Sequence, residues 1–214
     1  MASKVLESQC RLPKERRDHI IKFMDELRTK DFIKPLSELP DDWQRYISDQ
    51  EIKHYYPWRA VANPGSISTP HRVVVDPSMS GMNSILPKGQ NNLNYLLEIL
   101  IDFRCQVVAY GYDISKMYNS LHMKLESIPY QLFMWKVDLE WTSPEQEWAF
   151  IVAIYGTLSS GNQATAAIRM AAIELKDEFP LGYRAIVFKT YVGDGIGGAD
   201  TIFKFFHDLS HFCH

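Results

Sequence analysis

The order of hydrophobic patterns along the chain predicts an α+β fold. Strand-like segments follow one another in pairs between helices, whereas a parallel α/β sheet would alternate strand and helix one by one. With 214 residues, of which 46% are hydrophobic, the chain can bury a substantial core in one or two domains. Two aspartates stand where predicted strands end or turn, so the fold offers a place for a site.

The N-terminal part predicts helices before the first strand. Residues 14–30 follow Pro13 and carry apolar side chains at helical spacing, so they predict an amphipathic helix. A short helix is expected from Trp43 to Ile47, within an irregular stretch that contains prolines. The β-branched run at residues 71–76 then predicts a strand that ends at an Asp-Pro dipeptide.

The middle of the chain predicts a loop, a helix and then a strand. Residues 79–91 are rich in Gly, Asn, Pro and Ser and are expected to form the loop. Leucines and isoleucines recur at helical spacing over residues 92–103, with Asn92 or the preceding asparagine as the expected N-cap. Residues 107–114 predict a strand that carries Asp113 near its end.

The following segments predict a hairpin and a long helix. Residues 131–137 and 148–155 are rich in aromatic side chains and predict two strands, joined by a charged connection that contains proline. Residues 162–178 are rich in alanine and have apolar positions at helical spacing, so they predict a helix. Pro180 and Gly182 are expected to close that helix.

The last part of the chain predicts a second hairpin and a terminal helix. Residues 185–192 are expected to form a strand that runs into the turn Gly193-Asp194-Gly195. The strand resumes at Ile196, and residues 201–214 are expected to form the helix. The hairpin therefore places Asp194 in a tight turn.

The composition argues against a membrane-spanning or secreted protein. The longest apolar run, residues 148–158, is about half of the ~20 residues that a membrane-spanning helix needs. The N-terminus is charged and lacks the apolar stretch of a secretory signal. The three cysteines are widely spaced, as expected of reduced thiols. We expect an intracellular, cytoplasmic protein, whose formal charge of −3 supplies no general attraction to nucleic acid.

Asp113 and Asp194 are the candidate metal ligands. Two strand-borne carboxylates of this kind can converge on one face of a sheet and hold a hard divalent cation, which prefers oxygen ligands. Phosphoryl transfer is the chemistry that such sites serve. The alternative is that Asp194 is an ordinary turn residue, because aspartate is favoured in turns. Spacing alone leaves both interpretations open.

Six ordered blocks carry a resemblance that favours the metal site. They are HYYPWRAV (54–61), HRVVVDPSMSGMNSILPKGQNNL (71–93), LIDFR (100–104), GYDISKMYNSLHM (111–123), YGTLSSGNQATAAIRM (155–170) and YVGDGIGGADT (191–201). Through these blocks the stretch from Tyr55 to Thr201 resembles the reverse transcriptase of BEL/Pao-type LTR retrotransposons. The resemblance implies the fingers and palm of a right-hand polymerase, with an antiparallel palm sheet backed by helices.

The resemblance also implies a domain organisation and partners. Residues 1–54 would form a helical lead-in segment, residues 55–110 the fingers with part of the palm, and residues 111–214 the palm, truncated before the thumb. The implied activity is RNA-directed DNA synthesis with two Mg²⁺ or Mn²⁺ ions. The implied partners are an RNA or DNA template-primer and deoxynucleoside triphosphates, with no membrane partner. The oligomeric state does not follow from the sequence.

Residue by residue, the resemblance assigns a role to each matching position. Asp113 and Asp194 would be the catalytic, metal-binding carboxylates, and Tyr118 the aromatic gate that excludes a ribose 2′-hydroxyl. Arg72 would contact the incoming triphosphate, and Tyr155 with Gly156 would line the nucleotide side of the cleft. We expect Arg72 to face the two carboxylates across the opening. Three further matches are expected to be structural: Asp76, Asn83 and Gly89.

The chain departs from the family pattern at the metal turn. The family has Tyr-x-Asp-Asp, and the ungapped match here is Tyr191-Val192-Gly193-Asp194, so Gly193 replaces a metal-ligand aspartate. A one-residue slide would put Asp194 in the vacant place but misalign its neighbours. The missing charge is expected to impair or abolish catalysis. Gly195 and Gly197 also replace bulkier residues, which would loosen the turn.

Other functions remain open from the sequence. A non-catalytic polymerase-like module, either a retroelement remnant or a domesticated nucleic-acid or protein binder, would share the same fold. An unrelated metal-dependent phosphatase or nuclease would explain the carboxylates but none of the N-terminal blocks. A C-terminal cluster of His207, His211, Cys213 and His214 has spacing that zinc allows.

Overall fold

The computed structural model describes residues 1–62, 65, 71–105 and 107–201. Its helices are α1 (Ala2–Cys10), α2 (Lys14–Thr29), α3 (Asp41–Ser48), α4 (Met82–Ile85), α5 (Leu96–Arg104), α6 (Ser160–Glu174) and α7 (Pro180–Lys189). Its strands are β1 (Ile33–Pro35), β2 (Trp58–Ala62), β3 (His71–Val75), β4 (Val108–Asp113), β5 (Leu132–Trp135), β6 (Gln146–Phe150), β7 (Thr190–Tyr191) and β8 (Asp194–Ala199). Short 3-10 helices lie at Leu36–Glu38 and Leu125–Tyr130.

The described strands form three antiparallel sheets, which confirms the α+β prediction. Residue contacts divide the chain into two compact units. Unit 1 contains residues 1–86 and 118–158, and unit 2 contains residues 87–117 and 159–214. This division follows contacts only, so the expected fingers and palm boundaries stay predictions. Among the described residues, no helix has the length and apolar character needed to cross a membrane.

Unit 1 is built on the sheet β1-β6-β5 and the hairpin β2-β3. Phe133 on β5 is fully buried, and its ring centroid lies 4.6 Å from that of Phe150 on β6. The Trp58 indole donates a hydrogen bond to the Met134 carbonyl (2.9 Å), which joins β2 to β5. The predicted pairing of two aromatic-rich segments is confirmed, but the second strand begins at Gln146 and ends at Phe150, so the expected strand over residues 151–155 is wrong. The pair forms the centre of the core of this unit.

The first helices cover this core. Ile20 and Met24 on α2 are buried, as the apolar spacing of residues 14–30 predicts. The short helix predicted from Trp43 to Ile47 is confirmed within α3. Ile47 packs in a second cluster with Ile128, Leu132 and Ala149. Helix α1 was not predicted from the sequence, and its buried Leu6 belongs to the main core cluster.

Unit 2 is built on the sheet β4-β8-β7, with β8 in the centre. Helices α5 and α7 pack against β8, and α6 packs against α7. The helix predicted for residues 162–178 is confirmed as α6, although it begins and ends a few residues earlier. The sheet thus has helices behind it, and its strand ends carry the two candidate aspartates.

The predictions for residues 180–194 are partly wrong, and Asp194 is the first residue of β8 rather than a turn residue. Residues 185–192 are not a strand: α7 continues to Lys189, and only Thr190 and Tyr191 pair with β8. Pro180 starts this helix instead of only ending the preceding one, because a proline in the first turn needs no hydrogen-bond donor. The β-branched residues of α7 carry only a small helix penalty, which its packing against α6 overcomes.

Helix α5 begins at Leu96 rather than at the asparagines before it. The Asn94 side chain donates hydrogen bonds to the carbonyls of Val187 (3.0 Å) and Thr190 (2.9 Å). Arg169 donates to the Asn94 side chain and to the Val187 carbonyl. The Asn94 side chain therefore bonds to the end of α7, and helix α5 begins only after this segment. The predicted helix 201–214 and the C-terminal zinc alternative lie outside the described residues.

Candidate functional site

The alternation of β4 gives its carboxylate an open face. Tyr110 and Tyr112 are partly covered, whereas Gly111 and Asp113 between and after them are exposed. Successive side chains of a strand point to opposite faces, so the tyrosines face one side and Asp113 the other. The Gly-Tyr-Asp order at the strand end therefore delivers the carboxylate to solvent.

The register of β8 places Asp194 directly opposite Asp113. Directly opposed residues of an antiparallel pair point to the same face, with Cα atoms about 4.5–5.5 Å apart. Asp194 is also exposed. The two carboxylates therefore share one open face of the sheet.

The β7-β8 hairpin turns through Val192 and Gly193, because Tyr191 pairs with Asp194. Val192 has a φ of 59°, which is strained for a β-branched residue. The Gly193 carbonyl accepts a hydrogen bond from the Ile114 amide (2.9 Å), which fastens the turn beside Asp113. The turn is thus tied to β4 at the position of the carboxylates.

Gly193 itself faces the carboxylate of Asp113. A Cβ atom added at Gly193 would lie 3.7 Å from Asp113 Oδ1 and 3.4 Å from Met117 Sδ, both ordinary contacts. The φ of Gly193 is not positive, so its backbone accepts an L side chain. An aspartate at this position would add a third carboxylate beside Asp113.

The two carboxylates form no ion pair or hydrogen bond with any residue that the structure describes. No group of three or more Asp, Glu, His or Cys side chains in the described ranges could hold a metal ion. Two opposed carboxylates are the part of the expected metal site that the described residues contain, and metal binding there stays a prediction. A second ion would need a third carboxylate, and glycine at position 193 does not provide one.

The covered face of the same sheet has a feature that the sequence analysis missed. Tyr112 lies opposite Gly195, and Tyr110 lies opposite Gly197. A Cβ atom at Gly195 would lie 1.9 Å from Tyr112 Cζ, and one at Gly197 would lie 2.5 Å from the Tyr110 hydroxyl oxygen. The rings occupy the space that the glycines leave. The alternation Tyr-Gly-Tyr on one strand with Gly-Ile-Gly on the other was the available sequence pattern.

The Tyr112 hydroxyl reaches β7. It lies 2.8 Å from Thr190 Oγ1, which in turn donates a hydrogen bond to the Ala185 carbonyl (3.2 Å). Either hydroxyl can donate in the bond between Tyr112 and Thr190. Burial raises the pKa of Tyr112 to about 12, so the hydroxyl keeps its proton at neutral pH.

Three other predicted site residues lie together in unit 1. The rings of Tyr118 and Tyr155 have centroids 4.5 Å apart, and Tyr155 donates a hydrogen bond to Asn119 Oδ1 (3.2 Å). Gly156 follows with a φ of 96°, and a Cβ atom there would lie 3.4 Å from Pro77 Cδ. The positive φ makes glycine the favoured residue at this position.

Asn83 holds the loop that carries Tyr155 and Gly156. Its amide donates to the Gly156 carbonyl (2.9 Å), and its carbonyl accepts from the Leu158 amide (2.8 Å). The Asn83 side chain thus bonds to both a carbonyl and an amide of a loop whose backbone is not part of a strand. The structural role expected for Asn83 is consistent with these bonds.

Replacing Asn83 with alanine is expected to loosen this loop. The variant loses both hydrogen bonds to the loop and a third to the Ser78 hydroxyl (3.0 Å), which should lower the free energy of unfolding by about 1–3 kcal/mol. Hydrogen exchange of the Leu158 amide should accelerate about tenfold or more. Ser84→Ala is the matched control, because the Ser84 hydroxyl bonds only to the Gly81 carbonyl in its own turn. Equal Leu158 exchange in both variants would contradict the assignment.

Arg72 lies on the exposed face of the β2-β3 hairpin. It pairs with Val61, and the neighbouring Arg59 on the same face forms an ion pair with Asp76 (3.2 Å). Arg59 is therefore neutralised by a carboxylate of its own hairpin. The nucleotide contact expected of Arg72 stays a prediction, as does its position across from the carboxylates.

An open groove of about 400 Å³ lies between α5 and α7 in unit 2. Its lining includes Tyr95, Ile99, Arg184 and Phe188. None of the predicted site residues lines it. The candidate site is thus an exposed sheet face and not this groove.

Comparisons with known proteins were informative at the level of structure. No protein-family model matches the sequence, and no curated protein matches it. The crystal structure of native prototype foamy virus protease-reverse transcriptase matches with a TM-score of 0.61 and 17% identity, covering 88% of this chain and 20% of that one. A foamy viral protease-reverse transcriptase in complex with double-stranded DNA matches with a TM-score of 0.62 and 18% identity, covering 91% and 28%.

A selenomethionine-labelled mutant of the prototype foamy virus enzyme matches with a TM-score of 0.65 and 17% identity, covering 94% of this chain and 22% of that one. Identities this low show the fold alone. The chain therefore has a polymerase-type fold like that of retroviral reverse transcriptases, which confirms the expected fold class. It spans between 20% and 28% of the length of these chains.

Proposed function

We propose that this chain is the fingers and palm part of an RNA-directed DNA polymerase from an LTR retrotransposon of the BEL/Pao type. The observation that carries the proposal is the register pair of Asp113 and Asp194 on an exposed sheet face. In a reverse-transcriptase-like fold, paired carboxylates of this kind suit nucleotidyl transfer. The six sequence blocks support the assignment to the retrotransposon type.

The chemistry at this pair depends on divalent ions. Asp113 and Asp194 would hold Mg²⁺ or Mn²⁺, which would supply polarisation of the attacking hydroxyl and stabilisation of the leaving oxygen. The residues of this chain fit a pair of metal ions only in part. The chain has two opposed carboxylates, and two ions are best held by three carboxylates. Asp113 and Asp194 would supply the oxygen ligands, and no ion pair or hydrogen bond within the described ranges engages either carboxylate.

The remaining predicted residues would bind the nucleotide. Arg72 presents a permanently charged, forked donor that suits a triphosphate. Tyr118 would restrict the sugar, with its ring supported by Tyr155 and the loop that Asn83 holds. The proposed substrates are deoxynucleoside triphosphates on an RNA or DNA template-primer.

Gly193 favours a second candidate function. With one carboxylate missing, the chain would be an impaired polymerase or a non-catalytic module that binds nucleic acid or protein. Metal ions supply several kcal/mol of transition-state stabilisation, and each 1.36 kcal/mol is worth about tenfold in rate. An activity about 10³-fold below that of a complete site is therefore expected.

Primer extension tests the proposal. The unmodified chain, with a labelled DNA primer on an RNA template and either Mg²⁺ or Mn²⁺, is expected to extend the primer slowly. Asp113→Ala should abolish extension, because it removes half of the carboxylate pair. Extension that survives Asp113→Ala would overturn the proposed site, and no extension by the unmodified chain would favour the non-catalytic function.

Asp177→Ala is the matched control for this experiment. Asp177 is an exposed aspartate of the same unit, beyond the end of α6 and away from the paired strands. Its loss removes the same charge from the chain without touching the carboxylate pair. Extension should therefore equal that of the unmodified chain.

A further inference from the structure

We propose that Tyr112 is a positioning residue that holds Asp194 opposite Asp113. The inference rests on the proposed function, because that function gives the carboxylate pair its use. The position of Asp194 opposite Asp113 is a property of the sheet and does not depend on that function. Tyr112 lies on the covered face of β4, next to Asp113 in sequence and on the other side of the sheet. It acts on the carboxylates through the backbone of β8.

The space above Gly195 belongs to the Tyr112 ring. A Cβ atom at Gly195 would lie 1.9, 2.2 and 2.4 Å from three ring carbons, so no larger residue can stand there with the ring in place. The ring therefore lies flat against the β8 backbone, one residue from Asp194. An aromatic ring packed over a cross-strand glycine stabilises that pairing.

This contact selects the register. A shift of β8 by one residue would turn Asp194 to the opposite face of the sheet. A shift by two residues in one direction would place Tyr110 opposite Ala199, whose side chain occupies the space that the ring needs. A shift by two in the other direction would place Tyr112 opposite Gly193 in the turn, and Asp113 would lose its partner. In the observed register each tyrosine ring lies opposite a glycine and the two carboxylates lie opposite each other.

The hydroxyl of Tyr112 fixes the other strand of the hairpin. It forms a hydrogen bond with Thr190 Oγ1 at the start of β7, and Thr190 is itself joined to Ala185 in α7. Thr190 also pairs with Gly195 across the hairpin. One tyrosine on β4 therefore contacts both strands that lead into the Val192-Gly193 turn. The loss of side chains at Gly195 and Gly197, which was expected to loosen the turn, is offset by these rings.

Disulfide formation measures the placement without any assumption about activity. The double substitution Asp113→Cys and Asp194→Cys is made in a chain with Cys105→Ser and Cys213→Ser. Directly opposed Cα atoms lie within the range that a disulfide bridges. Diamide oxidation should join the introduced cysteines rapidly, and adding Tyr112→Ala should slow this about tenfold.

Conservative and matched variants separate positioning from general stability. Tyr112→Phe keeps the ring over Gly195 and should restore most of the cross-linking rate. Gly195→Ala should slow cross-linking because the ring must leave. Gly111→Ala should not, because a Cβ atom there meets its nearest neighbour at 3.7 Å. Circular dichroism at low temperature confirms that each variant is folded, and equal rates for folded Tyr112→Ala and the unmodified pair would overturn the inference.

Manganese binding separates this inference from the proposed function. Mn²⁺ alone is titrated into the chain with both aspartates present, and free Mn²⁺ is measured by electron paramagnetic resonance. Tyr112→Ala should raise the Kd about tenfold, since the ligands are no longer held together. If the unmodified chain binds no Mn²⁺, the proposed metal site fails, and cross-linking still decides the placement. If Tyr112→Ala binds Mn²⁺ with unchanged Kd, the positioning role is overturned.

Discussion

A Gly193→Asp variant is expected to extend a primer about 10³-fold faster than the unmodified chain in Mg²⁺. The backbone accepts the side chain, because the φ of Gly193 is not positive and a Cβ atom meets only ordinary contacts. That Cβ atom points to within 3.7 Å of Asp113 Oδ1, so the new carboxylate joins the existing pair. Three carboxylates then balance the charge of two divalent ions better than two do. Primer extension under single-turnover conditions gives the ratio.

Gly193→Asn is the control for shape. It has the size of aspartate and no charge, so it should leave extension close to that of the unmodified chain. Without metal, Gly193→Asp should lower the melting temperature because three like charges repel. Saturating Mg²⁺ should raise it again, since a ligand that binds only the folded state stabilises that state. An aspartate variant that gains neither Mg²⁺ affinity nor extension would favour the non-catalytic function.

A Phe133→Ala variant is expected to lower the free energy of unfolding of unit 1 by about 3–5 kcal/mol. Phe133 is fully buried, and its ring packs against Phe150 at 4.6 Å and against Trp148 at 6.3 Å between centroids. Truncation to alanine loses this packing and leaves a cavity that the paired strands β5 and β6 cannot close. The effect is large because Phe133 on β5 packs against two rings of β6, the central strand of the sheet.

Tryptophan fluorescence isolates this effect. All five tryptophans of the chain belong to unit 1, so a urea titration followed by their emission reports on that unit. Phe188→Ala is the size-matched control, because Phe188 is 57% exposed on α7 of unit 2. It should leave the tryptophan transition within about 0.5 kcal/mol of the unmodified chain. A shift of equal size in both variants would contradict the assignment of Phe133 to the core.

The described part of unit 2 combines an incomplete carboxylate set with a closely fitted sheet. Gly193 removes a charge on the open face, whereas Gly195 and Gly197 on the covered face are matched by Tyr112 and Tyr110. If Gly195 and Gly197 merely weakened the hairpin, the space that they leave on the covered face would be empty, whereas the two tyrosine rings occupy it. The two faces therefore differ: the open face lacks a carboxylate that the proposed function would use, and the covered face keeps its packing. The Gly193→Asp experiment tests whether charge alone limits activity.

Sequence patterns predicted those elements that depend on interactions between residues close together in the sequence. The apolar spacing before Thr29 predicted α2, and the aromatic-rich segments predicted the β5-β6 pair. The position of Asp113 at a strand end followed from strand period, because alternation delivers it to one face. The ordered blocks predicted a polymerase-type fold that the solved structures share at 17–18% identity. These inferences needed no knowledge of distant contacts.

Long-range contacts decided the rest. Residues 185–189 have the composition of a strand, but packing against α6 and the start at Pro180 make them helical. Asn94 looked like part of a helix start, yet its side chain bonds to the end of α7, far along the chain. The sequence determined where charged side chains, aromatic rings and glycines lie along the chain. Only the tertiary structure decided that Tyr112 lies over Gly195 and Asp113 opposite Asp194, because register is a relation between strands that neither strand specifies alone.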